Sequence, residues 1–529
     1  MGSLLCFKDT RDDWQNVLDN KIWELEEVVT ELFPHLYLSY NDLTPKMKQC
    51  FSYCAVFPKD YEMEVDMLIR IWMAQGYVTI ELKGRELFGG LAMRSFFQDL
   101  KKDDMDSSII KSCKMHDIVH DFAQFLTRNE CYNIDQHEDK VGFKNLRHLQ
   151  SWQDTGRNMN LPSICDIGKL RSFSAKDLSP AQLTLDLFNG LKSVRVLSLD
   201  GCKLQKLPKK IGKLLHLRLP DGIGNLRQLR YIDLSWSQVE TLPDTICSLE
   251  NLQTLVLQSC EHLSRLPEGI GNLINLRHLD IIDTDRLEMM PQGIAKLTQL
   301  CSLSGFKVGK ESSKLGYMEK LNQLKGELSI IFLCYLNNAA DVEEAEKAEL
   351  RNKKHIKELC LNFSDGVDVG IDVMEALKPP PELQTLKLMG YGGTHFPSWI
   401  LLSLDNLRIL KIWRWCVNCS SLPPLGKLPS LETLDIVGMK ELRYVGREFL
   451  GVTEVGGVAF PKLKKLEFYN CPEWEEWEDF KEEATIIIMP CIRELLLSRC
   501  SKLKTVPHHL LSRLQESLKI YDCPRLKVE

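Results

Sequence analysis

The chain has 529 residues, of which 44% are hydrophobic and 26% charged, and its net charge is −6. A chain of this length is too long for a single compact core, which favours several globular units. The net negative charge predicts no general attraction to nucleic acid or anionic membranes. No apolar run is long enough to cross a bilayer, and no basic region followed by an apolar stretch opens the chain. The 18 cysteines are therefore expected to be reduced thiols in the cytoplasm.

Residues 1–140 are predicted to be mostly helical. Apolar residues recur at helical spacing near residues 14–25, 36–55, 68–73 and 87–97, and again from about 116 to 127. Ile109 and Ile110 indicate a short strand before the last helix, and helices around a short strand pair are typical of a winged helix. This winged-helix module (residues 1–140) carries 16 basic and 25 acidic residues, so we expect no basic DNA-binding face.

From residue 191 to the C-terminus the leucines recur as LxxLxLxxC. One copy reads Leu252, Leu255, Leu257 and Cys260. The equivalent turn positions 237, 260 and 284 are 23 and 24 residues apart, which is the spacing of leucine-rich repeats. One copy cannot bury its own apolar face, so stacked copies must share a core. The sequence therefore predicts an α/β solenoid, the leucine-rich-repeat horseshoe, preceded by a mostly helical winged-helix module.

Two segments depart from the regular repeat. Between Cys202 and Ser237 the spacing is 35 residues, so half a repeat is missing and the strands near Leu197 and Ile232 are expected to pair directly. Between about 300 and 382 the pattern loosens into an irregular insert that contains the acidic helical segment DVEEAEKAEL. Residues 141–190 are interpreted as a transitional cap or linker. Each regular copy returns through a Leu-Pro and Ile-Gly segment, as in LPEGIGNL.

The residues between the leucines are predicted to line the concave face of the sheet. A protein-binding surface is expected there, because aromatic residues and arginine are frequent anchors of recognition. The candidate residues are Tyr231, Trp236, His278, Trp413, Arg414, Trp415, Tyr469 and Arg499. Trp413 is the expected exposed anchor, whereas the acidic run around Trp474 and Trp477 is interpreted as a solvated loop. The alternative is a set of scattered surface aromatics without a binding role.

Two segments resemble one protein family closely. CFSYCAVFPKDYEMEVDMLIRIWMAQGYV (Cys50 to Val78) and KMHDIVHDFAQFL, with Met115-His116-Asp117, resemble the winged helix and MHD motif of plant nucleotide-binding (NB-ARC) leucine-rich-repeat disease resistance proteins of the coiled-coil class. The Leu-Pro repeats are similar to that family's repeat domain. The resemblance implies a cytoplasmic plant immune receptor whose repeats recognise a pathogen effector or a guarded host protein in defence.

The same resemblance implies a nucleotide-binding core, with ADP or ATP bound in full-length members. This chain contains no GxxxxGK[ST] loop, so we expect an N-terminally truncated receptor with no cofactor of its own. His116 matches the MHD histidine, whose implied role is a contact to the β-phosphate of ADP. The alternative functions are a regulatory decoy or adaptor that docks on full-length receptors, and a non-functional truncation product.

Neither a metal site nor an enzyme is expected. His116-Asp117-Ile118-Val119-His120 is close to the HExxH pattern of zinc hydrolases, but aspartate replaces the glutamate base and no third ligand is evident downstream. Cys416 and Cys419 form a CxxC without a second pair, which is more typical of a structural turn than of a zinc site.

Overall fold

The computed structural model describes fourteen segments of the chain. They are residues 34–103, 108–133, 145–151, 167–176, 185–201, 217–218, 221–309, 314–336, 339–363, 370–413, 420–451, 457–479, 486–514 and 517–527. The chain divides into two compact units, Met1–Glu261 and His262–Glu529. Among the described residues, no helix is long and apolar enough to cross a membrane.

The first unit begins with the winged-helix module. Its described helices are α1 (Pro34–Asn41), α2 (Pro45–Tyr53), α3 (Val65–Gln75), α4 (Glu81–Met93) and α5 (Asp117–Thr127). Its antiparallel sheet has the order β1 (Met63–Glu64), β3 (Ile110–Met115), β2 (Phe97–Lys102). The arrangement of helices around a small sheet confirms the winged helix expected from the sequence. The helix predicted near residues 14–25 lies outside the described residues.

Local sequence explains the helix boundaries of this module. The helical region predicted near 36–55 contains two helices. The second begins at Pro45, where the Thr44 side chain accepts the backbone N–H of Met47 and the proline occupies the first turn of α2. Gly76, at φ 82°, ends α3 in the left-handed conformation. The helix predicted near 87–97 ends earlier than expected, since α4 stops at Met93 and Phe97 already lies in β2.

Aromatic side chains fill the core of the winged-helix module. Phe51, Trp72, Phe96 and Phe122 are fully buried. The ring centroids of Phe51 and Phe96 are 4.7 Å apart, and those of Phe51 and Phe122 are 6.0 Å apart. Burial of rings of this size supplies most of the stabilisation of a small helical module.

A parallel ladder of strands follows in the same unit. In spatial order it contains β4 (Cys131–Asn133), β5 (His148–Ser151), β6 (Ser172–Ala175), β7 (Val196–Ser198), β9 (Tyr231–Asp233) and β11 (Thr254–Val256). The ladder begins at Cys131 and runs through the segment 141–190 that the leucine pattern left as a linker. Leu149 and Phe173 occupy the buried positions of β5 and β6, so these strands belong to the same stack. Helix α6 (Leu185–Gly190) lies between β6 and β7 along the chain.

The shortened repeat behaves as the sequence predicts. Strand β7 pairs directly with β9, with Leu197 opposite Ile232. The residual strand β8 (Leu217–Arg218) pairs with β10 (Val239–Thr241), away from the main ladder. Direct pairing leaves no gap in the parallel ladder, so the missing half repeat creates no unpaired strand edge there.

The second unit contains ten strands of a parallel ladder among its described residues. They are β12 (His278–Asp280), β13 (Ser302–Lys307), β14 (Lys325–Ile331), β15 (His355–Asn362), β16 (Thr385–Met389), β17 (Ile409–Trp413), β18 (Thr433–Val437), β21 (Lys465–Tyr469), β24 (Glu494–Ser498) and β25 (Leu518–Tyr521). Two short pairs lie outside this ladder: β19 (Tyr444–Val445) with β22 (Glu476–Trp477), and β20 (Val458–Ala459) with β23 (Ile487–Ile488). The ladder therefore continues through the irregular insert at 300–382.

Helical returns connect these strands. The second unit contains α7 (Ala339–Lys347), α8 (Ile371–Ala376), α9 (Trp399–Leu402), α10 (Arg447–Leu450) and α11 (His508–Arg513). Helix α7 is the predicted acidic segment. The Leu-Pro segments within the described residues form short 3₁₀ helices, such as Asp244–Ser248 and Glu268–Asn272, in which Ile246 and Ile270 are fully buried. The predicted role of these segments as compact returns is confirmed.

Two sequence-based interpretations of the turns have different outcomes. The repeat pattern predicts small buried thiols beneath the turns at Cys202, Cys260, Cys471, Cys500 and Cys523. Cys260, Cys471 and Cys500 are fully buried, Cys523 is only partly buried, and Cys202 lies outside the described residues. The interpretation of Trp474 and Trp477 as a solvated loop is wrong, because both are buried. Their rings pack with Phe468, with centroid distances of 4.5 Å and 5.6 Å. The acidic residues beside these tryptophans suggested an exposed segment, but the two tryptophan rings pack into the repeat core.

Candidate protein-recognition surface

The strands of the second unit pair in register, so side chains at equivalent positions form rows across the sheet. In β17, Leu410 and Ile412 are fully buried, and alternation therefore places Lys411 and Trp413 on the opposite, concave face. The row at the carboxyl ends of the strands, here called the exit row, consists of Asn362, Met389, Trp413, Val437, Tyr469, Ser498 and Tyr521. The adjacent middle row consists of Cys360, Lys387, Lys411, Asp435, Glu467, Leu496 and Lys519.

The exit row is mostly apolar and partly accessible. Met389, Trp413, Val437 and Tyr469 are half-buried, and Tyr521 is 56% exposed. Six neighbouring strands contribute from Met389 to Tyr521, which corresponds to roughly 24 Å across the sheet at about 4.8 Å per strand. A row of this length with accessible aromatic rings can contact an extended partner surface.

Cations hold the two principal aromatic rings of this row. The Lys411 Nζ lies 5.1 Å from the centroid of the Trp413 ring. The Arg499 guanidinium lies 5.4 Å from the centroid of the Tyr469 ring. Such contacts restrict the rings while leaving part of each face open. Val437 alone separates Trp413 from Tyr469 in the row, so the structure brings these two predicted residues together.

The middle row provides paired charges beside the apolar row. Lys411 Nζ lies 3.6 Å from Asp435 Oδ2, and Lys387 forms an ion pair with Glu358. Burial raises the pKa of Asp435, while the nearby Lys465 and Lys411 oppose this shift. Charges in such a position select partners by complementarity more than they add affinity.

The concave face of the first unit is covered by the winged-helix module. Tyr53 Oη and Ser172 Oγ are 3.1 Å apart, and Gln75 Nε2 donates to Ser172 Oγ at 2.7 Å. Tyr231 is 2% exposed and belongs to the same apolar cluster as the core of the module. In this unit, the docked module occupies the positions that would otherwise face a partner.

The two histidines of the HDxxH segment act separately. His116 is exposed and caps α5, where its Nδ1 accepts the backbone N–H of Ile118 at 3.3 Å. His120 is buried, its Nε2 lies 2.7 Å from the Phe57 carbonyl, and burial lowers its pKa. No group of three histidine, cysteine or carboxylate residues is arranged for a metal among the described residues.

His116 alone does not make a nucleotide site. A phosphate site needs several converging backbone amides. The described residues around His116 offer one helix N-terminus, and Asp117 places a negative charge in its first turn. The residues that the structure describes therefore do not fit ADP.

Comparisons with known proteins agree with this architecture. A family model described as the disease resistance protein winged helix domain matches residues 56–123, and one described as a leucine-rich repeat region matches residues 169–505. The RPP13-like disease resistance protein 1 of Arabidopsis thaliana is 32% identical over 99% of this chain and 50% of its own length. Disease resistance protein RGA2 of Solanum bulbocastanum is 34% identical over 89% of this chain and 46% of its own length. The chain belongs to the plant leucine-rich-repeat disease resistance proteins.

The chain spans about half the length of the curated relatives it matches. Among solved structures, a leucine-rich-repeat protein of Leptospira interrogans is 19% identical, with a TM-score of 0.45, and the match covers 74% of this chain and 100% of that one.

In this disease resistance protein, two candidate residues are not where alternation predicted. The expected exposure of Tyr231 is wrong, because α3 and its neighbours cover the concave face of β9. The expected exposure of His278 is also wrong, since it is 3% exposed in β12, whose partner strand places Ser302 opposite it. The alternation of side chains along a strand predicts which face of the sheet a residue occupies, but it does not predict whether another element covers that face.

The remaining candidates lie at the surface or outside the described residues. Trp236 is 57% exposed, with φ 59°, in the turn after β9 of the first unit. Arg499 is exposed and has φ 53° in the turn after β24. Arg414 and Trp415, like Cys416 and Cys419, lie outside the described residues. A binding role for each of these residues stays a prediction.

The sequence-based selection missed Met389, Val437 and Tyr521. All three are the last residue of their strands, which is the position that Trp413 and Tyr469 also hold. An alignment of the repeats by this single position would have found the complete exit row.

Proposed function

We propose that this chain is the sensing portion of a cytoplasmic plant immune receptor. Its second unit recognises a protein, either a pathogen effector or a guarded host protein, with the concave face of β15 to β25. The exit row carries this proposal, because it presents the accessible aromatic rings of Trp413, Tyr469 and Tyr521 in one row across the sheet. The disease resistance relatives support the biological setting.

The chemistry of the surface favours a protein partner. Trp413 and Tyr469 combine a large apolar area with few rotatable bonds, which is typical of residues that dominate binding energy. The charged middle row lies directly beside them, as polar residues border the centre of many interfaces. In the first unit the equivalent face contacts the winged-helix module, so the second unit is the better candidate for a partner.

We further propose that the chain acts by binding and not by catalysis, without a cofactor of its own. His116 and His120 do not converge on one substrate-binding position, and the sequence has no phosphate-binding loop.

The test uses a panel of effectors and host proteins co-precipitated with the full chain. Trp413→Ala and Tyr469→Ala should each weaken the affinity of a true partner by about 2 kcal/mol or more if they are hot spots. Leu402→Ala is the matched control, because Leu402 is apolar and 79% exposed but lies on α9. A partner that binds all three variants as tightly as the wild type would place recognition elsewhere.

A second function, docking of the chain as an adaptor on full-length receptors, is favoured by one observation. Leu82 and Met93 of α4 are each 67% exposed, and their separation of eleven residues places them on the same helix face. Leu82→Ser with Met93→Ser should abolish co-precipitation with a full-length receptor and leave binding through Trp413 unchanged. Unchanged receptor binding would remove this second function.

A further inference from the structure

Four arginines form a ladder beside the docked winged-helix module. Each directly precedes a strand of the first unit, and they are Arg147, Arg171, Arg195 and Arg230. The Arg171 backbone N–H donates to the Arg147 carbonyl at 2.7 Å, and the next two backbone bonds in the ladder measure 2.8 Å and 2.9 Å. Neighbouring members are therefore about 4.8 Å apart at the backbone, and like charges at that spacing repel.

The members of this arginine ladder differ in their partners. Arg195 Nη1 donates to the Gln75 carbonyl at 2.6 Å, at the negative C-terminal end of α3. Arg147 Nη1 lies 3.6 Å from Glu130 Oε1. The Arg171 guanidinium has neither a hydrogen bond nor an ion pair to any described residue. Burial, followed by the charges of Arg147 and Arg195, lowers the pKa of Arg171. Arg171 is therefore a partly buried cation without a charged partner among the described residues.

Arg171 lines a pocket of about 250 Å³ between the winged-helix module and the first repeats. The charged residues of its lining are Lys48 on α2, Arg147, Arg171 and Glu130. Three cations and one carboxylate leave an excess of positive charge. Lys48 Nζ lies 5.2 Å from the centroid of the Tyr40 ring, which also lines the pocket, and no described carboxylate forms an ion pair with it.

The other titratable groups of the lining do not offset this excess. Burial lowers the pKa of His148 to about 3, and the charges of Arg171 and Arg147 act in the same direction, so its imidazole is neutral at pH 7. Burial raises the pKa of Tyr77 to about 12, so its phenol remains a neutral hydrogen-bond donor. The pocket offers fixed cations and neutral donors, which is the chemistry of an anion site.

We propose that this pocket binds a small phosphate-bearing anion that joins Lys48 of the winged-helix module to Arg147 and Arg171 of the repeats. A guanidinium fork matches the geometry of phosphate oxygens, and several oxygens can satisfy cations from different elements. The volume restricts the ligand to a compact one. Because the ligand contacts both elements, its binding stabilises the docked module by mass action. The fraction of molecules in which the winged-helix module covers the concave face of the first unit would then depend on the concentration of this anion.

The first experiment measures pyrophosphate binding to the full chain by calorimetry at low salt. Saturable binding is expected. Arg171→Gln and Lys48→Gln, on separate elements, should each weaken it at least about tenfold, since each removes a charge-assisted hydrogen bond. Arg277→Gln is the matched control, because Arg277 also directly precedes a strand (β12) but does not line the pocket; its affinity should equal that of the wild type.

Thermal unfolding separates an anion site from a structural role of Arg171. Without pyrophosphate, Arg171→Gln should unfold at the same temperature as the wild type or higher, because repulsion within the ladder is relieved. With pyrophosphate, only chains that retain Arg171 and Lys48 should be stabilised. A lower unfolding temperature of the unliganded variant, or no saturable binding by the wild type, would overturn the proposal.

A phosphate group can come from a soluble metabolite or from a lipid headgroup. Sedimentation with vesicles of phosphatidylcholine and phosphatidylinositol 4,5-bisphosphate distinguishes these sources. Binding of soluble inositol trisphosphate without sedimentation identifies a metabolite site. Sedimentation that Arg171→Gln abolishes identifies a headgroup site. Sedimentation that Arg171→Gln leaves unchanged, together with no binding of either soluble anion, contradicts the pocket.

Discussion

Tyr231 and Trp236 provide a sharp test of the docked winged-helix module, because they lie in one repeat but in opposite environments. Tyr231 is 2% exposed and Trp236 is 57% exposed. Tyr231→Ala removes a ring that buries about 150–250 Å², which at about 25 cal/mol per Å² corresponds to roughly 4–6 kcal/mol. Measured ring-to-alanine changes of about 3–5 kcal/mol agree with this magnitude. Trp236→Ala should change the free energy of unfolding by about 0.5 kcal/mol or less.

Tyr231→Phe separates the ring from its hydroxyl. Tyr231 Oη donates to Asp233 Oδ2 at 3.5 Å, a distance at which a hydrogen bond contributes little. The phenylalanine variant should therefore lose about 1 kcal/mol or less. Urea unfolding followed by circular dichroism, which does not depend on the substituted rings, gives the three values. Equal losses in Tyr231→Ala and Trp236→Ala would refute the docking of the module on the concave face.

Three further predictions concern the repeats. Leu255→Ala, at a fully buried position of β11, should cost about 2–5 kcal/mol in urea unfolding; a loss below about 1 kcal/mol would place Leu255 outside a packed repeat. Hydrogen exchange should be faster at residues 211–225, around the shortened repeat, than at 249–260, and equal protection would contradict the repeat register. Burial lowers the pKa of Lys353 from 10.5 to about 8. The unfolded chain then binds more protons between those values, so this lysine makes stability rise as pH rises from 8 to 10.5; in Lys353→Met the rise should be smaller.

Much of the fold follows from the repeat pattern itself. Leu252, Leu255 and Leu257 occupy positions that can only be buried together by stacking, and the structure buries all three. The spacing between Cys202 and Ser237 was enough to predict that β7 pairs directly with β9. The two predictions depend only on strand periodicity and on the need to satisfy strand edges, which are local properties of the sequence.

The start of the ladder could not be read from leucines. In β5 and β6 the buried positions are held by Leu149 and Phe173, and the strands themselves contain His148 and Ser172 at positions that the winged-helix module covers. A strand whose outer face is covered loses the polar alternation by which it is recognised. Because the winged-helix module covers β5 and β6, these strands lack the alternation of polar and apolar residues that would identify them as repeats in the sequence.

The candidate recognition surface could likewise be predicted only in part from the sequence. The sequence identified Trp413 and Tyr469 as aromatic residues, but their placement in one row depends on the register of β17, β18 and β21. Tyr231, the first residue of β9, also belongs to the concave face, but it is buried in one apolar cluster with the core of the winged-helix module. The contacts of a residue on the concave face therefore depend on which other element of the chain packs against that face. In the first unit the winged-helix module packs against it, whereas the exit row of the second unit remains accessible.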